Sequence, residues 1–184
     1  NVTGIDLSES QLERARQKAS TQNLSIEFSR CDARQLTFCA EFELVIMLCE
    51  GAFSLMENDE MNFQILSNAS KALKPKGKLI FTTLNGLFPL FHSVQEFMDS
   101  ATLEGNAKYS SNSFDLMTFR DRHTMNIEDD LGHTKELECD ERYYVPSEIT
   151  WLLKTLDFQI IDIFAAKLGA FSRQDRLTTE DFEM

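Results

Sequence analysis

The sequence predicts an α/β fold: a mostly parallel sheet flanked by helices, with an antiparallel hairpin inserted late in the chain. Three observations predict it. Short apolar runs alternate with segments of helical periodicity from Val2 to Leu84. Each of the first three runs leads directly into an acid or a small residue. Beyond Leu84 the rhythm gives way to two long β segments with polar residues at alternate positions.

Val2–Asp6 is a short apolar strand ending in an acid. Ser8 is placed to cap a helix of Glu9–Ser20, with Gln11 completing a capping box and Leu12, Ala15 and Ala19 forming the apolar stripe. Leu24–Arg30 alternates as a strand, and Asp32 follows it. A loop or short helix leads on to Phe42–Leu48, a continuous apolar run expected to be buried on both faces. A helix of Asp59–Leu73 comes next. Lys71 and Lys74 suit its C-terminal dipole, and Pro75-Lys76-Gly77 breaks it before the strand Lys78–Leu84.

A helix around Leu90–Met98 then leads into a polar stretch, Glu104–Ser113. Phe114–Ile127 and His133–Tyr144 are the two long β segments, joined through Glu128-Asp129-Asp130-Leu131-Gly132 as a hairpin. Pro146 opens a helix running to Leu156. Phe158–Ala165 is a further strand, and Thr179–Met184 the start of one more. The expected organisation is one domain over 1–184, in which 86–144 forms an inserted helix plus hairpin that walls or covers a substrate site.

The chain has 184 residues, 42 % apolar and 26 % charged, with 30 acidic against 18 basic side chains and a formal net charge of −12. Such an acidic surface repels phosphate backbones and anionic bilayers, so neither nucleic acid nor membrane is an expected partner. The apolar runs are far too short to span a bilayer, and the first residues carry no basic-then-apolar signal pattern. Cys31, Cys39, Cys49 and Cys139 show no zinc-like spacing with each other or with a histidine, so free thiols in a reducing cytoplasm and no metal are expected. The 15 Phe serve core packing, the lining of an apolar pocket, or both.

Three sites carry chemistry. Asp6 stands where a parallel strand meets the ligand crevice of an open α/β sheet, and can accept both hydroxyls of a ribose or act as a turn acid. Asp32 follows the next strand and can accept from an adenine amino group while the Ala33 N–H meets a ring nitrogen. After the third strand, Cys49 offers its backbone carbonyl to an amino group, Gly51 permits an unusual turn, and Glu50 either starts a helix or faces a substrate.

These tips, with two later segments, resemble the class I, Rossmann-like methyltransferases that use S-adenosylmethionine (SAM). Gly-Ile-Asp-Leu-Ser-Glu-Ser-Gln-Leu resembles the family's second motif, and Cys31-Asp32-Ala33 its adenine motif. Leu48–Phe53 resembles the segment after its fourth strand, and Ala72–Leu79 its L-x-P-G-G turn. Arg142–Ile149 is similar to its R-x-Y-T-x-E-E-L lead-in to a helix. The resemblance implies SAM as cofactor and S-adenosyl-L-homocysteine as product. Asp6 would bind the ribose, Leu7 would pack on the adenine, and Asp32 and Ala33 would hold its edge. Cys49 would contact the methionine part, with Glu50 close by. Phe53, Arg142 and Tyr143 are the candidates for the wall of a small-molecule acceptor site. Methyl transfer rests on positioning and exclusion of water, and no catalytic base motif is present. The histidines His92, His123 and His133 suit surface or structural roles.

The glycine-rich loop that follows the family's first strand has no counterpart here, and Asn1 already stands at the entrance to the family's second strand. The first strand is the middle one in the family order 3-2-1-4-5-7-6. Its absence is expected to leave two unpaired edges, closed by direct pairing or by lending strands in a homodimer. The chain is therefore expected to be a fragment that keeps the adenosine half of the site and binds SAM weakly. Two other classes fit less of the sequence. A nicotinamide oxidoreductase leaves Asp32 unexplained. A non-catalytic methyltransferase-like binding module makes use of the missing loop.

Overall fold

The computed structural model describes residues 1–49, 52–101, 107–128, 132–167 and 170–184. They cluster into two units. The first comprises Asn1–Val45 and Gln64–Leu79, the second Ile46–Phe63 and Ile80–Met184.

In the first unit, strand β1 (Thr3–Asp6) leads into helix α1 (Glu9–Thr21). Ser8 caps α1, its hydroxyl accepting from the Gln11 N–H at 3.4 Å, and Leu12 and Ala19 on the predicted stripe are buried. β2 (Glu27–Arg30) pairs parallel with β1, from Thr3↔Glu27 to Asp6↔Arg30. A 3-10 turn, Ala33–Gln35, occupies the connection that the sequence leaves as a loop or short helix. β3 (Phe42–Met47) pairs with β4 (Leu73–Phe81) in a second ladder, and α2 (Asp59–Ala72) connects them; each of the three has residues in both units. Leu66 and Ile65 of α2 are buried.

The β1–β2 and β3–β4 ladders are separate. Direct pairing across the position of the family's first strand, one of the two expected closures, does not occur among the described residues. The expectation that Phe42–Leu48 is buried on both faces is also corrected. Leu44 and Ile46 are 44 % and 57 % exposed, because one face of this strand has no covering layer among the described residues. The strand expected at Lys78 starts at Leu73, directly after α2. Lys76 takes a left-handed φ of 69° where the sequence predicts a break.

In the second unit, β5 (Ala107–Asp115), β6 (Arg120–Glu128) and β7 (Thr134–Arg142) form an antiparallel sheet in that order. The predicted hairpin is therefore a three-stranded meander. The segment Phe114–Ile127 is broken after Asp115, whose carboxylate accepts the Met117 N–H at 2.8 Å, and Phe119 takes a φ of 53°. The one turn former here is Asp115, and a single Asp within a strand-like run does not mark a break. The tip of the predicted hairpin, Asp129-Asp130-Leu131, lies outside the described residues.

Helix α3 (Val94–Ala101) precedes the meander and α4 (Pro146–Thr155) follows it. The strand predicted at Phe158–Ala165 does not form, since that segment finds no ladder partner. β8 (Ala166–Lys167) begins just after it and pairs with β9 (Ala170–Phe171). Glu183 bridges antiparallel to both Leu84 and Ala166, which is the order of the family's last three strands.

The core of the second unit contains Leu84, Phe88, Val94 and Tyr143, with Met98, Phe114, Phe119 and Phe182 packed against it. Its rings meet edge to face, as their quadrupoles favour: Tyr143 lies 5.4 Å from Phe114 and 5.8 Å from Phe182 between centroids.

Candidate functional site

The parallel pairing of β1 and β2 brings two acidic strand tips side by side. The Cys31 N–H donates to the Asp6 carbonyl at 3.0 Å, continuing the ladder one residue past β2 and placing Asp32 next to the tip of β1. The Asp6 side chain is exposed, and its Oδ1 accepts the Ser8 N–H at 2.7 Å. Each carboxylate oxygen accepts from more than one donor, so Asp6 retains capacity for a vicinal diol. Leu7 beside it is 54 % exposed.

Asp32 caps the 3-10 turn by accepting the Arg34 N–H at 2.8 Å. It also receives the Arg34 guanidinium, with Nη2 at 2.7 Å from Oδ2. The Arg34 side chain holds the Asp32 carboxyl below its ordinary range, first through the side-chain hydrogen bond and then through the backbone one. Asp32 is thus a fixed, ionised acceptor. A further donor has to share its oxygens with Arg34. The Ala33 carbonyl accepts from Asn68 Nδ2 at 3.0 Å, which ties the turn to α2.

The remaining predicted residues belong to the second unit. Cys49 is exposed, with a left-handed φ of 57°, so the chain turns sharply just past the end of β3. Glu50 lies outside the described residues. Phe53 and Tyr143, offered by the sequence as acceptor-site walls, are both fully buried. Phe53 stacks on Tyr144 at 4.8 Å and meets Phe81 edge-on at 5.5 Å. Their faces are taken by other rings, which is the core-packing alternative that the high Phe content leaves open.

Arg142 is buried as well. It pairs with Glu148 and Asp59, donates to the Tyr143 carbonyl, and lies 4.5 Å over the Tyr144 ring. It also lines an open cleft of about 380 Å3 with Asp59, Met117, Arg120 and Arg122. Arg120 donates to Asp59 and Asp140, both at 2.9 Å, and to the Met56 carbonyl. Burial alone would lower its guanidinium, but the bonds to Asp140 and Asp59 overcome this and hold it above its ordinary value.

Sequence reasoning missed the opposite face of the same strands. Asp121 and His123 alternate with Arg120 and Arg122 along β6, so they point to the other side of the sheet. Both side chains are fully buried, with His123 Nδ1 3.0 Å from Asp121 Oδ2. Glu141 stands directly across from Asp121 in the ladder. Burial pushes the Glu141 carboxyl up; His123 opposes this and Asp121 adds to it. The D-x-H spacing within a strand was the available signal, and its meaning depends on a register that the sequence does not print.

Residues 1–77 match the family of methyltransferase domains. A putative methyltransferase of Geobacillus sp. (strain WCH70) is 33 % identical over 95 residues, covering 52 % of this chain and 38 % of the relative. The chain thus spans less than half the length of that relative. Among solved structures, the CcbJ methyltransferase from Streptomyces caelestis superposes with a TM-score of 0.73 at 16 % identity, over 99 % of this chain and 71 % of that one. A SAM-dependent methyltransferase from Clostridium acetobutylicum ATCC 824 gives 0.70 at 18 % identity, over 100 % and 72 %. At these identities the superpositions establish the fold. With the methyltransferase-domain match over residues 1–77, they show that this chain has the α/β fold of the SAM-dependent methyltransferases.

Proposed function

We propose that this chain supplies the adenosine-binding part of an enzyme that transfers a methyl group from SAM to a small-molecule acceptor, releasing S-adenosyl-L-homocysteine. The observation that carries the reading is the pair of acids at adjacent parallel tips, Asp6 and Asp32, linked through the Cys31–Asp6 backbone bond. The chemistry fits adenosine. Exposed Asp6 suits the two ribose hydroxyls, Leu7 the adenine face, and Asp32 with Ala33 the adenine edge. SAM itself supplies the electrophilic methyl group.

The net charge of −12 favours a small acceptor over nucleic acid, and a cytoplasmic setting suits the four free cysteines. No helix among the described residues is long and apolar enough to cross a membrane. In this reading residues 86–144, which include α3 and the meander, form the wall or lid over the acceptor, with Arg142 at its cleft.

Calorimetric titration of the 184-residue chain tests the proposal. Adenosine and S-adenosyl-L-homocysteine should bind with affinities within about tenfold of each other, since the described contacts serve the nucleoside. Asp6→Ala should weaken both by roughly ten- to a hundredfold, the worth of a hydrogen bond to a charged group. Nucleoside binding indifferent to Asp6→Ala and Asp32→Ala would overturn the assignment. Binding of NADH in its place would favour an oxidoreductase.

A further inference from the structure

The meander keeps its charged residues on two faces. Arg120, Arg122, Asp140 and Arg142 share one side, where Arg120 bridges Asp59 and Asp140, Arg122 reaches Asp140, and Arg142 reaches Asp59 and Glu148. Asp121, His123 and Glu141 share the other. Strand alternation puts Asp121 and His123 together, and the register Asp121↔Glu141 brings in the third group from β7. One ligand atom from each lies within 4.8 Å of the other two. The trio thus sets one imidazole and two carboxyl groups side by side in a buried place, a donor set that a cation can draw together.

We propose that Asp121, His123 and Glu141 form a binding site for one divalent transition-metal cation, which ties β6 to β7 on the face of the meander opposite the arginines. The donor set is one imidazole nitrogen and two carboxylate oxygens. That mixture suits Zn2+ or Mn2+ better than Mg2+, which prefers oxygen and retains its water. A +2 ion cancels the charge of the two carboxylates. The spacing is close to what coordination needs. Ligands on bonds of about 2.1 Å sit roughly 3.0–3.4 Å apart in tetrahedral or octahedral geometry. The His123 Nδ1–Asp121 Oδ2 pair is already at 3.0 Å, and with the ligand atoms all within 4.8 Å of one another the remaining edges have to close by at most about 2 Å. Cys139 stands opposite His123 in the ladder on this same face, and its half-buried thiol is a neighbour of the site. The inference uses no part of the methyl-transfer reading and stands or falls separately from it.

The test is titration of the untagged, chelator-treated chain with Zn2+ alone, and in parallel with Mg2+, followed by calorimetry and thermal melting. The expected result is one Zn2+ per chain at micromolar or tighter affinity, a raised Tm, and no response to Mg2+. His123→Asn and Glu141→Gln should each weaken Zn2+ binding at least about tenfold and abolish the Tm rise, as first ligands do. Exposed His133→Gln should leave both unchanged. Glu141→Gln keeps the shape of the side chain, so its circular dichroism separates lost binding from lost folding. Absence of Zn2+ binding at millimolar concentration would overturn the site. So would binding that survives both ligand variants.

Discussion

The parallel tips of β1 and β2 and the antiparallel meander β5–β6–β7 handle charge in opposite ways. At the tips the acids are held by short local contacts: exposed Asp6 by Ser8, part-buried Asp32 by Arg34 two residues on. In the meander the guanidiniums of Arg120 and Arg142 are buried and held by long-range partners. Arg120 is linked to Asp59 across 61 positions, and Arg142 to the same acid across 83. The difference separates two jobs. A carboxylate that meets a ligand has to be reachable and pre-fixed, which local turns achieve without a core. A charge that fixes one strand arrangement has to be enclosed, because screening by water leaves exposed pairs worth little.

The comparison breaks most readily at the aromatic core, where the largest effect is expected. Phe53→Ala removes a fully buried ring from between Phe81 and Tyr144. Urea unfolding should show a loss of about 3–5 kcal/mol. A loss below about 1 kcal/mol would place Phe53 at a surface, as an acceptor wall would be. Arg120→Met comes next. It keeps most of the side-chain volume but leaves Asp59 and Asp140 without their shared partner. Those acids are 56 % and 34 % exposed, so water recovers part of the interaction. The expected loss is about 2 kcal/mol, well below that for a sealed ion pair.

The first unit should tolerate more. A Cβ at Gly4 would sit 2.8 Å from Cδ1 of the Phe28 ring. That ring is only partly buried and can swing, and alanine restrains the unfolded chain better than glycine does. Gly4→Ala should therefore cost about 1 kcal/mol or less. Its adenosine titration should match the original chain, because the Asp6 and Asp32 tips lie beyond the displaced ring. A cost as large as that of Phe53→Ala would show that the parallel pair is as tightly packed as the aromatic core.

What the sequence made legible follows the same division. Strand-tip acids can be read because an apolar run followed by Asp is a local pattern, and Ser8 with Gln11 is a local cap. The break after Asp115 was hidden because its one turn former, Asp115, stands alone before Leu-Met-Thr-Phe. The strand expected at Phe158–Ala165 failed for a non-local reason. An apolar segment becomes a strand only when a partner edge is present, and in this fold Glu183 reaches Ala166 instead. The Asp121–His123–Glu141 group was invisible because two of its members come together only through the β6–β7 register. Phe53 and Tyr143 are ambiguous by composition, since a ring against a ligand and a ring against other rings look alike until their neighbours are known.

The smallest expected effect sharpens the comparison through acidity. At the tips, Arg34 holds the Asp32 carboxyl below its ordinary value. A depressed carboxylate contributes stability above the unfolded pKa, near 3.9, and that contribution is lost as pH falls through the folded value. Beside the meander, Glu148 is raised. Burial is the main cause, offset in part by Arg142 and reinforced by Asp59. A raised carboxyl has the opposite linkage: its contribution is complete below the unfolded pKa, near 4.3, and is lost as pH rises through the folded value. Asp32→Asn should therefore flatten the loss of stability on acidification below about pH 4, while Glu148→Gln should gain relative to the original chain as pH climbs from about 4 towards neutrality. Unfolding measured at each pH for the two variants checks both slopes. Slopes of the same sign would mean that the two acids share one kind of environment, and that the division between reachable and enclosed charge does not hold at these positions.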